Sequence, residues 1–413
     1  MNQPGKQGEF RPGRDREEAA GGPPAREHTD WPAVAFGIVL ASLVAFQQFK
    51  LPPVLPVLLS TYHWDRTLAG GMMAIYALVG LLFSIPIGHA LQRRGTFHPL
   101  LAALAILLMG NLLAFAAPQN AWLVLAARGL EGVGYALGGI AGPALANRSA
   151  AQRDLGFVIG LTAGWIPAGQ LAATGLALVL PNWQALWIVG ALVTCAMMVW
   201  SMALRHHSVL AAPSVGTPQR IKPTAQQRHE LYLTAGIFLL WSTQYFAYVT
   251  WLPQYLVEVV GLGATATAAS YALPPAMIIV FNLVTGALLG RGVSLAAMLS
   301  CGLLSQAAIW WLIPFTHGTA EGLASLIVYG IGAGVTPACL FALPATILGR
   351  AGAPTAFGYM MSGRNTGVFL GPILLAEVTK TLGGWGAAWP VFGSASLVAV
   401  VAAVGLGAVL RRR

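Results

Sequence analysis

The chain has 413 residues, of which 56% are hydrophobic and only 9% charged, with a formal net charge of +10. A soluble globular protein carries about 25% charged residues and needs polar surface to cover its core. The composition argues against a soluble enzyme, a nucleic-acid binder and a disordered scaffold. The three cysteines, Cys195, Cys301 and Cys339, are widely spaced in apolar runs without a CxxC pair, which argues against a disulfide framework and a zinc site.

Residues 1–30 hold eleven of the 36 charges, of mixed sign, with Gly and Pro between them. Such a segment buries too little apolar surface to offset its ordering entropy, so 1–31 is expected to be a disordered tail. No apolar run with a small-residue cleavage site opens it, so no signal peptide is expected. From Pro32 onward, apolar runs of 20 or more residues alternate with short polar breaks. A span needs about 20 apolar residues to cross roughly 30 Å of hydrocarbon. Breaks at Gly, Pro and charges give twelve predicted spans: 33–60, 68–91, 98–117, 120–147, 153–180, 184–205, 229–258, 266–290, 293–315, 319–349, 353–382 and 385–410. The fold class expected is an all-α membrane protein.

Basic residues set the expected orientation. With the N-terminus in the cytoplasm, 18 of the 23 Lys and Arg fall in cytoplasmic segments, and only Arg66 and Lys380 fall outside. That asymmetry satisfies the positive-inside rule and places both termini, including the basic end 411–413, in the cytoplasm of a cell (inner) membrane protein. The sequon Asn147-Arg148-Ser149 then lies in the cytoplasm, where it has no use. Lys50, Arg128 and Arg364 remain inside spans.

A polar stretch, 206–228, separates two sets of six spans, 32–205 and 229–410. The two sets repeat. Pro56 matches Pro253 and Arg94-Gly95 matches Arg291-Gly292 at an offset of 197; Trp183-x-Ala185-x-Trp187 matches Trp385-x-Ala387-x-Trp389 at 202. Parallel repeats imply two pseudo-symmetric six-helix bundles about an axis along the membrane normal, with a substrate site between them.

These motifs resemble those of the major facilitator superfamily over nearly all of 32–410. The loop Gly88-His-Ala-Leu-Gln92-Arg93-Arg94-Gly95 resembles that family's Gly-x3-Asp-Arg-x-Gly gating motif, with Gln92 at the Asp position and Thr96 at the next basic one. Arg128-x3-Gly132-x-Gly134 resembles its span 4 pattern. Gly160-x3-Gly164-x2-Pro167-x-Gly169 partly resembles the span 5 motif of antiporters. The segment Trp251-Leu252-Pro253-x-Tyr255-x2-Glu258 is similar to the end of span 7 in organic-anion and cyanate-type porters. The resemblance implies alternating access by a monomer. Gly88, Arg93, Arg94, Gly95, Gly160, Gly164 and Pro167 are the gating candidates. Small residues four apart let helices approach closely, so Gly160 with Gly164, and Gly367 with Gly371-Pro372, are expected to form smooth faces between bundles, with plain helix packing as the alternative. Pro167, Pro253, Pro337 and Pro344 are candidate kinks.

Ionisable groups at membrane depth cost about 2.5–3.5 kcal/mol on insertion scales, so each needs a wet cavity or a partner. Arg128 lies about 12 Å from the outer end of span 4. Glu131, three positions on, shares its helix face and is both a candidate ion-pair partner and the candidate proton carrier. Lys50, at a similar depth, has Gln47 one turn away and either faces a cavity or snorkels outward. Arg364, about 16 Å from the inner end of span 11, is too deep to snorkel readily, and a guanidinium clamps oxyanions bidentately. Gln244, Tyr248, Trp251 and Tyr255 form one stripe of span 7, with the first two deep enough to line a cavity. Glu258 and Glu377 read as solvated rim charges, Glu377 with Lys380 as an alternative partner.

No phosphate loop, metal-ligand cluster or Ser/His/Asp constellation occurs, so neither an enzyme nor a cofactor is expected. The leading reading is a secondary transporter of a small anion, with protons as a candidate coupling ion. Lys50, Arg128, Arg364, Gln47, Gln244, Tyr248 and Asn365 form its candidate substrate site. A drug or metabolite efflux antiporter is the alternative, disfavoured by a cation where a carboxylate would suit cationic drugs. A non-transporting receptor has no need of three intramembrane cations.

Overall fold

The computed structural model describes residues 28–180, 182–205, 210, 223–316 and 318–411, without the side chains of 84–94, 345, 350–355 and 411. Most of the expected tail and of the 206–228 linker therefore lies outside the described residues. The described chain is helical, with no strand among the described residues. Its helices are α1 Trp31–Phe49, α2 Leu55–Tyr62, α3 Arg66–Arg94, α4 Phe97–Ala116, α5 Ala121–Ser149, α6 Leu155–Ala163 and α7 Trp165–Val179. After them come α8 Trp183–Ala203, α9 Ala225–Glu258, α10 Ala264–Gly290, α11 Leu295–Leu312, α12 Thr319–Thr381 and α13 Ala388–Arg411.

Hydrocarbon offers no hydrogen-bond partner, so an apolar run there folds as helix, and its ends need caps where the chain emerges. The sequence supplies them. Asp30, Asp65, Asn120, Asn182 and Ser294 each accept from the amide three residues on. Thr224 and Gln227 form a reciprocal capping box at the start of α9. The last residues of the expected tail belong to the body: the Asp30 amide donates to the Ser149 carbonyl at 2.9 Å, and the Ala151 amide to Thr29 Oγ1 at 2.9 Å.

Nine described helical runs are long and apolar enough to cross a membrane, or ten if α6 and α7 form one bent span. Twelve were expected. The two other expected spans fall on α9 and on the part of α12 beyond Gly349. α9 is 34 residues long but rich in Gln, Thr, Ser and Tyr, so its hydropathy falls short. Four expected spans also differ in their interiors or limits. Span 1 breaks at Pro52-Pro53, where prolines remove two amide donors and a 3₁₀ turn links α1 to α2. Span 5 breaks at Gly164 with a bend of 47°. The expected kink at Pro167 is thereby corrected: Pro167 sits in the first turn of α7, where a missing N–H costs nothing. Spans 10 and 11 run on as one helical stretch, with non-helical geometry at Gly349 (φ 68°).

The helices before residue 205 pack chiefly on one another, α5 at their centre against α1, α3 and α4. Those after 225 pack around α9 and α12. The two sets meet where α3 lies on α12 and α7 on α10. The glycine faces differ from expectation. A Cβ at Gly160 would reach, among the described residues, only Leu283 Cδ2 of α10 in the other half, at an unstrained 3.9 Å, and one at Gly164 only the Leu161 carbonyl, at 3.5 Å. Gly363, Gly367 and Gly371 instead form a stripe against α9, within one half of the chain, where a Cβ would overlap the carbonyls of Ala235, Leu239 and Thr243. The cross-half contact is made by Gly70, whose Cβ would lie 2.6 Å from the Pro372 carbonyl.

Gly371→Ala therefore forces α9 and α12 apart and should destabilise the protein by about 1–3 kcal/mol, the usual cost of overpacking. Thermal unfolding in detergent checks this, with Gly286→Ala, which meets open space, as the neutral control.

Candidate functional site

Three ionisable side chains meet inside the first half of the chain. Lys50 follows the last residue of α1, and its amide closes the helix on the Phe46 carbonyl at 2.8 Å. Arg128 and Glu131 lie one turn apart on α5. All three are fully buried. Lys50 Nζ donates to Gln47 Oε1 at 2.6 Å, Asn111 Oδ1 at 2.8 Å and Glu131 Oε1 at 2.9 Å, and sits 4.5 Å from the Trp187 ring centre. Arg128 donates from Nε to the Met72 carbonyl, and from one terminal nitrogen to Gln47 O at 2.7 Å and Glu131 Oε2 at 2.6 Å. Its other terminal nitrogen donates to Gln48 O at 2.7 Å and meets Met73 Sδ at 3.8 Å. The Tyr76 hydroxyl donates to Glu131 Oε2 at 2.5 Å. An ammonium has three donors and a guanidinium five; here all eight are occupied. Lys50 does not snorkel, and Glu131 serves both cations.

The amides at this site are oriented by what holds their other end. Gln47 Nε2 donates to the Gly190 carbonyl and Thr194 Oγ1, and Asn111 Nδ2 to the Trp187 carbonyl. Each amide thus grips α8 with its nitrogen and turns its oxygen to Lys50. Asn111 and Tyr76 are absent from the sequence-based site. Their available signal was a lone polar side chain within an otherwise apolar span.

Arg364 stands apart. It is 8% exposed, midway along the part of α12 after Gly349. It donates to Asn365 Oδ1 at 3.1 Å and lies 5.8 Å from the Phe246 ring centre. No carboxylate pairs with it among the described residues. Phe246 in turn contacts Phe49, the neighbour of Lys50, at 6.1 Å between centroids. The two halves also touch through Gln170 of α7, which bonds the hydroxyls of Tyr271 at 3.2 Å and Tyr245 at 3.4 Å. Gln170 was missed because the span 5 motif draws attention to its glycines.

Gln244 and Tyr248 turn away from that meeting plane. Gln244 Oε1 accepts from Trp310 Nε1 and the Tyr329 hydroxyl, both at 2.7 Å, and its Nε2 is buried without a partner. Tyr248 stacks on Tyr329 at 3.6 Å. With Trp251, Tyr255, Trp310, Trp385 and Trp389, it lines a cavity of about 290 Å³ within the second half.

Where α3 begins and α9 and α12 finish, a second charge cluster joins the halves. Arg66 pairs with Glu258 at 2.5 Å, and Trp385 Nε1 donates to the same carboxylate at 2.8 Å. Lys380 pairs with Asp65 at 3.0 Å, Thr67 donates to Glu377, and Trp251 Nε1 donates to the Pro372 carbonyl at 2.8 Å. Glu258 and Glu377, expected as rim charges, are thus cross-half contacts. Partial burial works against the Asp65 carboxylate, but hydrogen bonds from Lys380 and the Leu68 amide outweigh it and hold its pKa below the ordinary aspartate value. A depressed carboxylate pKa stabilises above the unfolded value and is lost only as pH falls through the folded one. The Asp65–Lys380 pair therefore holds throughout neutral and mildly acidic pH. Of the gating candidates, the side chains of Arg93 and Arg94, and the surroundings of Gly88, lie outside the described residues. Gly95 ends α3 at φ 70°, a left-handed geometry that favours glycine.

Removing Glu131 strands two buried cations, whereas removing Lys50 leaves a neutral Arg128–Glu131 pair. Glu131→Gln should cost about 3–5 kcal/mol, and Lys50→Met clearly less. Thermal unfolding of the two variants side by side checks the order.

A family model described as Major Facilitator Superfamily matches residues 37–372, from early in α1 to Pro372 of α12. No curated protein matches the chain. That family consists of secondary transporters and is generally non-enzymatic, and the many apolar helices suit passage through a bilayer. The chain belongs to the Major Facilitator Superfamily, as a multi-pass membrane protein and secondary transporter of a small solute.

Proposed function

We propose that the solute is a small organic or inorganic anion, such as a monocarboxylate or a cyanate- or nitrate-like ion, moved by alternating access with proton coupling. The observation that carries this reading is Arg364. It is a buried guanidinium at mid-membrane depth whose described hydrogen bonding is a single contact with Asn365. A cation so deep needs an anion, and guanidinium takes oxyanions bidentately. Arg364 and Asn365 contact the anion. Lys50 and Arg128, whose charge exceeds that of Glu131 by one, add positive potential, with Gln47 orienting Lys50. Gln244 and Tyr248, which face the second half's own interior, stay outside this contact set. The Lys50–Glu131 pair is the proton-coupling site.

The working assembly is a monomer of two six-helix bundles, 32–205 and 229–410, joined by 206–228, with 1–31 and 411–413 in the cytoplasm of a cell (inner) membrane. Support comes from the twelve apolar runs, the internal repeat and the charge asymmetry. In this orientation the Arg66–Glu258 and Asp65–Lys380 pairs seal the outer end, and the bend at Gly164, with Gly160 and Pro167 on either side, lies on the moving face. The segment Gly88–Gly95, where α3 ends, is the inner gate.

The test is uptake into proteoliposomes of labelled nitrate, cyanate and lactate. Arg364→Ala should lower uptake of the transported anion by about 10- to 150-fold, the loss of a hydrogen-bonded charge, with Arg364→Lys between the two. Absence of uptake of all three by the wild type, or an unaffected Arg364→Ala, sinks the anion reading. Separately, Arg66→Ala with Lys380→Ala should raise labelling from outside of a cysteine placed at Tyr248, measured in a background free of native cysteines.

A further inference from the structure

We propose that the proton moved in each transport cycle is carried by the Lys50 ammonium and not by the Glu131 carboxylate, so that transport of the anion is electroneutral. This rests on the anion reading above.

The groups facing Lys50 Nζ can be counted. From α1 there is Gln47, from α4 Asn111, from α5 Glu131 and Arg128, from α3 Tyr76 beyond Glu131, and from α8 Trp187. The helices α6 and α7 contain no ionisable side chain. The cluster therefore holds two cations and one carboxylate, all fully buried. One positive charge is unbalanced, and a buried unbalanced charge is costly. Three ways exist to remove it. Arg128 cannot give up a proton. Protonating Glu131 would leave two cations and no anion, which makes the imbalance worse. Release of a proton from Lys50 leaves Arg128 and Glu131 as a neutral pair bonded at 2.6 Å.

Hydrogen bonding makes the same event mechanical. The ammonium fills three acceptors, one each from α1, α4 and α5. A neutral amine has two hydrogens and can hold only two of them. Loss of the proton therefore unties one of three helices at this level, while Gln47 and Asn111 keep their grip on α8. Next along the chain, Phe49 touches Phe246, and Arg364 lies over that same ring. The proton switch and the anion clamp are thus two aromatic contacts apart.

Charge accounting joins the two. With Lys50 neutral and no anion bound, the core formed by Lys50, Arg128, Glu131 and Arg364 carries one positive charge. With Lys50 protonated and a monovalent anion on Arg364, it again carries one positive charge. The core presents the same charge to the membrane loaded and empty. Only the Nζ–H bond is made and broken: the amine takes a proton from water on one side and returns it to water on the other.

Two measurements test this on the full-length protein. In proteoliposomes, the nitrate, cyanate or lactate that the wild type exchanges should accumulate about tenfold for one pH unit of gradient, alkaline inside, and should not respond to a potassium–valinomycin potential. Lys50→Met, and Lys50→Arg, which keeps a charge that cannot leave, are read by the driving force of the exchange that remains, whatever its rate. Both should lose accumulation driven by the pH gradient and gain accumulation driven by an inside-positive potential. Retained pH-driven accumulation in either folded variant overturns the proposal, and Lys50→Arg decides the point should Lys50→Met not fold. The second measurement needs no substrate. Difference titration of wild type against Lys50→Met in detergent should show one proton fewer released by the variant below about pH 10, under the ordinary lysine range. No difference there overturns the Lys50 assignment even if the anion reading holds. Absence of exchange of every probe by the wild type overturns the anion reading, with the titration still deciding where the proton sits.

Discussion

A carboxylate with two cations, out of reach of water, constrains everything around it. Glu131 must receive Lys50, Arg128 and Tyr76 at once, and these come from the end of α1, its own helix and α3. Satisfying Lys50 then draws in α4 through Asn111, and satisfying the two amides draws in α8. Five helices are positioned by one requirement, that no buried charge or donor go unpaired. Hydrophobic burial cannot set that register in a membrane, since a leucine gains little by facing another leucine instead of lipid.

At the repeat-related position the second half follows the same plan with neutral groups. Gln244 stands 197 residues after Gln47, the offset of the repeat. Its oxygen is likewise the acceptor for neighbouring helices, here for Trp310 and Tyr329. Gln306 plays a similar part for Trp241 and Thr336. A neutral amide-and-aromatic network replaces the ionic one. Close backbone approach along Gly363, Gly367 and Gly371 fastens α12 to α9, as Gly37 and Gly142 fasten α1 to α5 in the first half. The joints between the halves are of another kind. Arg66–Glu258 and Asp65–Lys380 are partly solvated, and such pairs are worth about 0–1 kcal/mol each. Contacts of that strength can break and re-form in every cycle, whereas the Arg128–Glu131 pair cannot come apart without stranding an ion.

That each charge lies within an apolar run was legible in the sequence, and so were the pairing of Arg128 with Glu131 and the closeness of Gln47 to Lys50. The last two follow from helix geometry within one span. Partners from other spans were not legible. Asp65 meets Lys380, 315 residues away, and Arg66 meets Glu258, 192 residues away, and each alone has the signature of an ordinary rim charge. Tyr76, Asn111 and Gln170 were overlooked for a related reason. A single polar residue in an apolar run is as common in packing as in function, and only its neighbours in space distinguish the two. The interruption of span 5 was read from the wrong residue when proline was taken as its cause. Pro167 lies where a helix tolerates it, and the bend falls instead at Gly164.

Charge alone is therefore a poor guide to which buried cation meets the solute. Lys50, Arg128 and Arg364 are alike in the sequence: lone cations inside apolar spans. In the folded chain they differ in what they have left to give. Arg128 has spent its five donors and Lys50 its three, so a solute could reach them only by displacing a carboxylate or a backbone carbonyl, at the cost of an unpaired buried group. Arg364 has one described hydrogen bond, to an adjacent side chain, and the face of a phenylalanine beside it. A saturated cation can shape the field and hold or lose a proton. An unsaturated one can bind. The division of labour between the halves follows from that difference in remaining hydrogen-bonding capacity, and the sign of the charge, shared by all three, does not reveal it.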